Sequence, residues 1–135
     1  MQSHLAVVLP VLGLLLLPSC SLLAQQRWQS TRDHIHYVFT QCETQHLHDR
    51  AAQWTETVRC GNDGTRSILA HSRSPYADLI AAALASRLAI AQQIDAGMIS
   101  EEEGTARIAV LDHYIHTLPG SLLDLLTLTA SATRQ

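Results

Sequence analysis

Histidine and cysteine are the residues in this sequence whose types and spacing point most directly to chemistry. Eight histidines occur in 135 residues, and neutral imidazole is the commonest metal ligand in proteins. Six of them form close pairs: His34 with His36, His46 with His48, and His113 with His116. Residues two apart point about 200° away from each other on a helix, so the first two pairs cannot chelate a metal while helical.

The third histidine pair has the spacing of one helix face. His113 and His116 share that face with Asp112, opposite an apolar stripe over 108–118, so we expect it to be exposed. An exposed pair supplies at most two or three ligands and nothing to orient them. We therefore predict solvated surface histidines and no metal site. The three residues remain the candidates for one, and a pH-responsive partner surface is the other alternative.

Two cysteines, Cys42 and Cys60, are candidates for a disulfide. Eighteen residues of continuous helix span about 27 Å, whereas a disulfide requires Cα atoms within about 7 Å. The bond can therefore form only if the chain turns back between the two residues. The alternative is two buried thiols that act as small apolar core residues.

The first twenty residues have the pattern of an export signal. Residues 5–17 are uncharged and apolar, and no charged side chain precedes Arg27. This run is shorter than the roughly twenty residues that span a bilayer, and Pro10 and Gly13 disfavour a permanent helix. It ends in Leu17-Pro18-Ser19-Cys20.

That ending resembles the lipobox of bacterial lipoproteins, in which an aliphatic residue and a small residue precede the cysteine. The resemblance covers only these twenty residues. It implies a signal peptide over 1–19, cleavage before Cys20, and fatty chains on that residue that anchor the protein to a membrane. With Ser21 next, it also implies the outer membrane, facing the periplasm, in a Gram-negative cell. The alternatives are a secretory signal cut near Ala24, an uncleaved anchor and a core helix.

The rest of the chain predicts an all-α body, either a small helical hairpin or a three-to-four-helix bundle. We read 20–30 as the lipidated cysteine and a tether, and 31–118 as the helical domain. Apolar spacing over 31–59 indicates one long helix, or two helices broken near 43–49. The run from Gly61 to Gly64 predicts a stop and a turn.

Capping residues mark the later helices. Ser74 and Pro75 predict a helix start, and Gly97 fits the left-handed position after a helix end near Ala96. The run from Ser100 to Glu103 predicts a capping box that opens a third helix, ending near Leu118. Residues 119–135 read as a short apolar helix and tail.

Composition and missing motifs narrow the function. The nine basic residues are all arginine and are scattered, and the net charge is −3, so no nucleic-acid partner is expected. No phosphate loop, nucleophile elbow or zinc-protease motif occurs. We therefore predict no catalytic residue and no cofactor beyond the lipid on Cys20.

The prediction is a cell-envelope lipoprotein that acts as a structural or protein-interaction module. It is bound to the membrane by its lipid and pairs with a protein partner or a second copy of itself. Two alternatives remain. One is a metal-binding or metal-buffering envelope protein that uses histidines. The other is a small periplasmic hydrolase or hydrolase inhibitor, which requires a concave pocket joining a histidine to an aspartate or a serine hydroxyl.

Overall fold

Four helices make up the regular structure of the chain. The computed structural model describes the backbone of residues 8–49 and 52–119, and the side chains of that part from Leu22 onward. The helices are α1 (Val8–His48), α2 (Trp54–His71), α3 (Ala77–Asp95) and α4 (Glu101–Thr117). Within those ranges there is no strand, so the predicted all-α fold is confirmed.

One compact unit, Ser30–Leu118, contains α2, α3, α4 and the second half of α1. Within it α3 packs against both α2 and α4. The described part of the remaining unit is the beginning of α1 together with Pro119. Residues 20–30, predicted as a tether, are helical and belong to α1. The predicted apolar helix over 119–135 lies outside the described residues except for Pro119.

The capping residues Gly97 and Ser100 lie, as predicted, in the link between α3 and α4. Gly97 follows the last turn of α3 with a φ of 67°, a left-handed conformation that glycine adopts without steric cost. Ser100 Oγ then accepts a hydrogen bond from the backbone N–H of Glu103 at 3.1 Å. The Glu103 side chain pairs with Arg107 at 2.6 Å. At the other end, α3 begins at Ala77, slightly later than predicted.

The predicted turn at Gly61–Gly64 is wrong, because α2 runs through these residues without a break. A Cβ on Gly61 would lie 2.9 Å from Cδ1 of Phe39, and one on Gly64 would lie 2.5 Å from Cγ1 of Val38. The glycines therefore allow close approach of α1 to the middle of α2. Their role is helix packing, and this outweighs their low helix propensity.

The apolar core is centred on α3. Ile80, Leu84 and Ala91 of this helix are fully buried. Among the described helices, α3 has the length and composition to cross a membrane. A core helix of a folded bundle satisfies the same criterion, and α3 packs against two other helices, with 28% of its apolar window buried.

Candidate functional site

A disulfide joins α1 to α2. The sulfurs of Cys42 and Cys60 are bonded, with their Cα atoms 6.0 Å apart. The chain turns back between His48 and Trp54, where α1 ends and α2 begins, as the geometry of such a bond requires. Cys42 is buried on the same face of α1 as Ile35 and Phe39.

A concave groove lies between α1 and α4 in the Ser30–Leu118 unit. Its volume is about 400 Å³. Side chains from α1, the start of α2 and α4 line it: His36, Phe39, Thr40, Glu43, Trp54, Thr105, Ile108, Ala109, Asp112, His113 and His116. Near one end, Arg32 of α1 donates hydrogen bonds to the carbonyls of His116 (2.7 Å) and Leu118 (3.1 Å). That contact fastens α1 to the last turn of α4.

A buried arginine lies behind Glu43 and Asp112, the two carboxylates that line this groove. Arg87 of α3 is 1% exposed. Its Nη1 donates to Oδ1 of Asn62 at 2.9 Å, and its Nη2 donates to Oδ2 of Asp112 at 3.2 Å. Its guanidinium carbon lies 3.7 Å from the centre of the Phe39 ring, a cation–π distance. Since Asn62 Nδ2 donates in turn to the Leu84 carbonyl at 2.8 Å, the cluster ties all four helices together.

The two carboxylates in the groove have different partners. Asp112 has a side chain 20% exposed and forms an ion pair with Arg87 at 2.5 Å. Glu43 has a side chain 44% exposed, and its Oε1 lies 4.0 Å from Arg87 Nη2. This distance is too long for a hydrogen bond. Glu43 is therefore the more accessible carboxylate of the two.

Burial controls the protonation of these groups. It raises the pKa of Glu43, helped by the charge of Asp112 and opposed by Arg87 and His36. Burial also raises the pKa of Asp112, against the attraction of Arg87 and His36. It lowers the pKa of Arg87, which Asp112 and Glu43 oppose. The guanidinium remains charged, because arginine is too basic to lose its proton inside a protein.

The candidate metal ligands on α4, namely Asp112, His113 and His116, all line the groove. His113 and His116 are exposed in the groove, and the His116 ring lies 5.5 Å from that of His36. The expectation that Asp112 is exposed is wrong, since its carboxylate is turned towards Arg87. In the part of the chain that the structure describes, no three His, Cys, Asp or Glu side chains are grouped to hold a metal ion.

One histidine makes a close contact with a hydroxyl group. The Oγ1 of Thr57 lies 2.6 Å from Nδ1 of His46, and the His46 ring lies against the Trp54 ring in a tilted arrangement with 4.3 Å between centres. Thr57 is 7% exposed. This arrangement joins the end of α1 to the start of α2, and it leaves little access for a substrate.

Trp54 has two roles in the structure. It packs against the apolar cluster of Val58, Ala91 and Ile108, and its half-buried ring also lines the groove. The sequence reading missed Arg87, Asn62 and Glu43 as site residues. A signal for Arg87 existed, because it falls on the stripe of Ile80, Leu84 and Ala91 that α3 buries.

Comparison with known proteins gives no relative for this chain: no family model, curated protein or solved structure matches it.

Proposed function

We propose that this protein is a small envelope lipoprotein, held to the membrane by lipid on Cys20, that acts as an interaction module. Its binding site is the groove between α1 and α4. The observation that carries the proposal is the groove itself, which places two carboxylates, three imidazoles and the Trp54 ring in one concave, partly apolar surface. Such mixed concave sites are typical of ligand recognition.

The proposed compartment is supported by two separate features of the chain. The apolar leader ends in Cys20, and the body contains a Cys42–Cys60 disulfide. Disulfides persist in oxidising compartments and are rare in the cytosol. An exported protein fits both features.

Lipidation is tested by Cys20→Ser. We expect the unmodified protein to lose its membrane anchor, or to retain residues 1–19 as an uncut precursor. Fractionation followed by intact-mass measurement distinguishes these results. A Cys20→Ser protein that remains in the membrane fraction at the normal mature mass would show that lipid on this residue is not the anchor.

The binding role of the groove is tested by photocrosslinking in intact cells. A benzophenone amino acid replaces Thr40, which is exposed in the groove, or Ala89, which is exposed on α3 outside it. We expect a discrete crosslinked species from position 40 and none from position 89. Equal crosslinking from both positions, or none from either, contradicts an interaction site in the groove.

One observation supports the hydrolase alternative: three histidines and Asp112 line the same groove. Asp112 is bound to Arg87, however, and no serine lines the groove as described. These contacts favour recognition over nucleophilic catalysis.

A further inference from the structure

We propose that the groove between α1 and α4 binds an organic cation, namely an ammonium or guanidinium group carried on an apolar carbon chain. This inference rests on the proposed function and names the class of ligand for the same groove. The group belongs either to a basic side chain of a partner protein or to a free amine.

The charge that a ligand can reach in the groove is negative. Glu43 and Asp112 have side chains 44% and 20% exposed, whereas the Arg87 side chain is 2% exposed. Two carboxylates share this one guanidinium, and its hydrogen bonds already go to Asn62 and Asp112. An anion would meet the carboxylates before it could reach Arg87. A cation would meet the accessible Glu43 carboxylate, which lacks a hydrogen-bond partner in the described structure.

The hydroxyl groups of the groove are acceptors. Thr40 donates its proton to the His36 carbonyl at 3.0 Å, and Thr105 donates to the Glu101 carbonyl at 2.8 Å. Each hydroxyl oxygen is left only with lone pairs for a ligand. Together with the carboxylates, they give the groove an excess of acceptors, which complements the several N–H groups of an ammonium or guanidinium.

The remaining lining suits an apolar chain. Ala109 is exposed along the groove and the half-buried Trp54 ring lies in its wall, while the largely buried Phe39 and Ile108 side chains also line it. Aromatic faces also attract cations. A ligand with a charged head and a carbon body satisfies both parts of the surface, whereas a bare metal ion would use only the acidic part.

Acidification weakens this binding through the two carboxylates that face the groove. Glu43 of α1 and Asp112 of α4 become neutral, and His36, His113 and His116 line the same groove. Arg87 of α3 stays positive throughout. The raised pKa values of the two carboxylates bring their neutralisation closer to neutral pH. Neutralising the carboxylates disfavours a cation, so affinity falls as the pH is lowered.

The test is a titration of the full-length protein in neutral detergent with n-butylammonium and n-butylguanidinium. Butyrate and n-butanol, which have the same carbon chain, are the matched controls. We expect saturable binding of the cations that weakens with added salt, and no saturable binding of the controls. Chemical-shift changes at the Trp54 indole N–H report occupancy of the groove.

Two variants locate the site. Glu43→Gln removes the accessible charge at constant shape and is expected to weaken cation binding roughly fivefold. The control Glu56→Gln, at an exposed position on α2 outside the groove, is expected to leave it unchanged. Thr40→Lys places a cation in the groove and is expected to abolish binding, with circular dichroism confirming that the variant is folded.

Several results would overturn the proposal: butyrate binding as tightly as butylammonium, no saturable cation binding, or equal loss in Glu43→Gln and Glu56→Gln. Crosslinks from position 40 without cation binding would retain the interaction module and reject this ligand class.

To separate the two sources of the cation, a lysine-containing peptide is compared with its acetylated form and with free butylammonium. If the unmodified peptide binds more tightly than both the acetylated peptide and butylammonium, the source is a protein side chain. If the unmodified peptide binds no more tightly than butylammonium, the source is a free amine.

Discussion

Two neighbouring layers of side chains in the helix bundle come from the same three helices, α2, α3 and α4, but differ in polarity. One layer is apolar and consists of Val58 of α2, Ala91 of α3 and Ile108 of α4. The other is polar and lies one helical turn away on each helix: Asn62, Arg87 and Asp112. The apolar layer needs only volume and contact, whereas the polar layer requires hydrogen bonds with defined partners.

The comparison shows where this chain departs from a simple helical bundle. Burying a charge is costly unless it is paired and hydrogen-bonded, and a small bundle can be built without one. In this protein the polar layer borders the groove and places Asp112 in its wall. The proposed ligand site gives this layer a role, since an apolar layer would fill the same space at least as stably.

The largest effect is expected from Arg87→Ala in the polar layer. The change leaves Asp112 half-buried without its cation and Asn62 without a donor, and removing one partner of a buried ion pair costs about 3–5 kcal/mol. Denaturant unfolding measures the loss. The control Arg107→Ala removes an exposed pair with Glu103 and should cost less than about 0.5 kcal/mol. Similar losses for the two variants would mean that Asp112 and Asn62 find new partners without cost.

Ile108→Ala breaks the apolar layer. Ile108 is 3% exposed, and its truncation removes buried methyl groups and leaves a cavity, at a cost of about 2–4 kcal/mol. The same unfolding experiment applies. Val110→Ala, at an exposed position on α4, is the control and should lie within about 0.5 kcal/mol of the wild type. A loss as small for Ile108→Ala as for this control would place Ile108 outside the core.

Converting the polar layer into an apolar one sharpens the comparison. We expect the triple change Asn62→Leu, Arg87→Met and Asp112→Leu to retain the stability of the wild type or to gain up to about 2 kcal/mol, since well-packed apolar groups often replace buried ion pairs without loss. The same variant should lose cation binding. Unfolding and n-butylammonium titration check the two parts. A strongly destabilised or molten product would show that the polar layer specifies the fold.

The smallest effect concerns Glu43 and pH. A carboxyl group whose pKa is raised by folding opposes folding once it is ionised, and this penalty is absent below its unfolded pKa. Glu43→Gln should therefore stabilise the protein at pH 7, by less than about 1 kcal/mol because the side chain is partly solvated. The gain should vanish near pH 4. A gain that is larger at pH 4 than at pH 7 would contradict the direction of the pKa change.

The contribution of Asp95 to stability should depend on pH in the opposite direction to that of Glu43. Its partial burial raises the pKa, but hydrogen bonds from Thr55 and Trp54 outweigh this and lower it overall. The carboxylate accepts the backbone N–H groups of Trp54 at 2.9 Å and Thr55 at 2.8 Å, and so caps the start of α2. Asp95→Ala should cost about 1 kcal/mol at pH 7, and the difference from wild type should shrink as the pH is lowered.

Local signals in the sequence predicted the later helices well. Gly97 and Ser100 define the link between α3 and α4 because their conformations and hydrogen bonds involve only nearby residues. Gly61 and Gly64 were misread for the opposite reason. Their role depends on Phe39 and Val38, which are more than twenty residues away, and the sequence alone shows only that glycine disfavours a helix.

The polar layer was hidden for the same physical reason. Arg87 interacts with Asp112 and Asn62 across helix–helix contacts, each twenty-five residues distant in sequence. The periodicity of α3 could have identified an arginine on its buried face, but it could not select the partners. The disulfide was the one long-range constraint that the sequence offered, and it required the turn that the structure has between α1 and α2.

The central claim is that the carboxylates of the groove are present for a ligand and at some cost to stability. The most direct measurement is the unfolding free energy of wild type and Glu43→Gln at pH 7, each with and without n-butylammonium. We expect the variant to be more stable than the wild type alone and to gain less from the cation, since a ligand stabilises the state that binds it. A variant that is less stable alone and gains as much from the cation would contradict the claim.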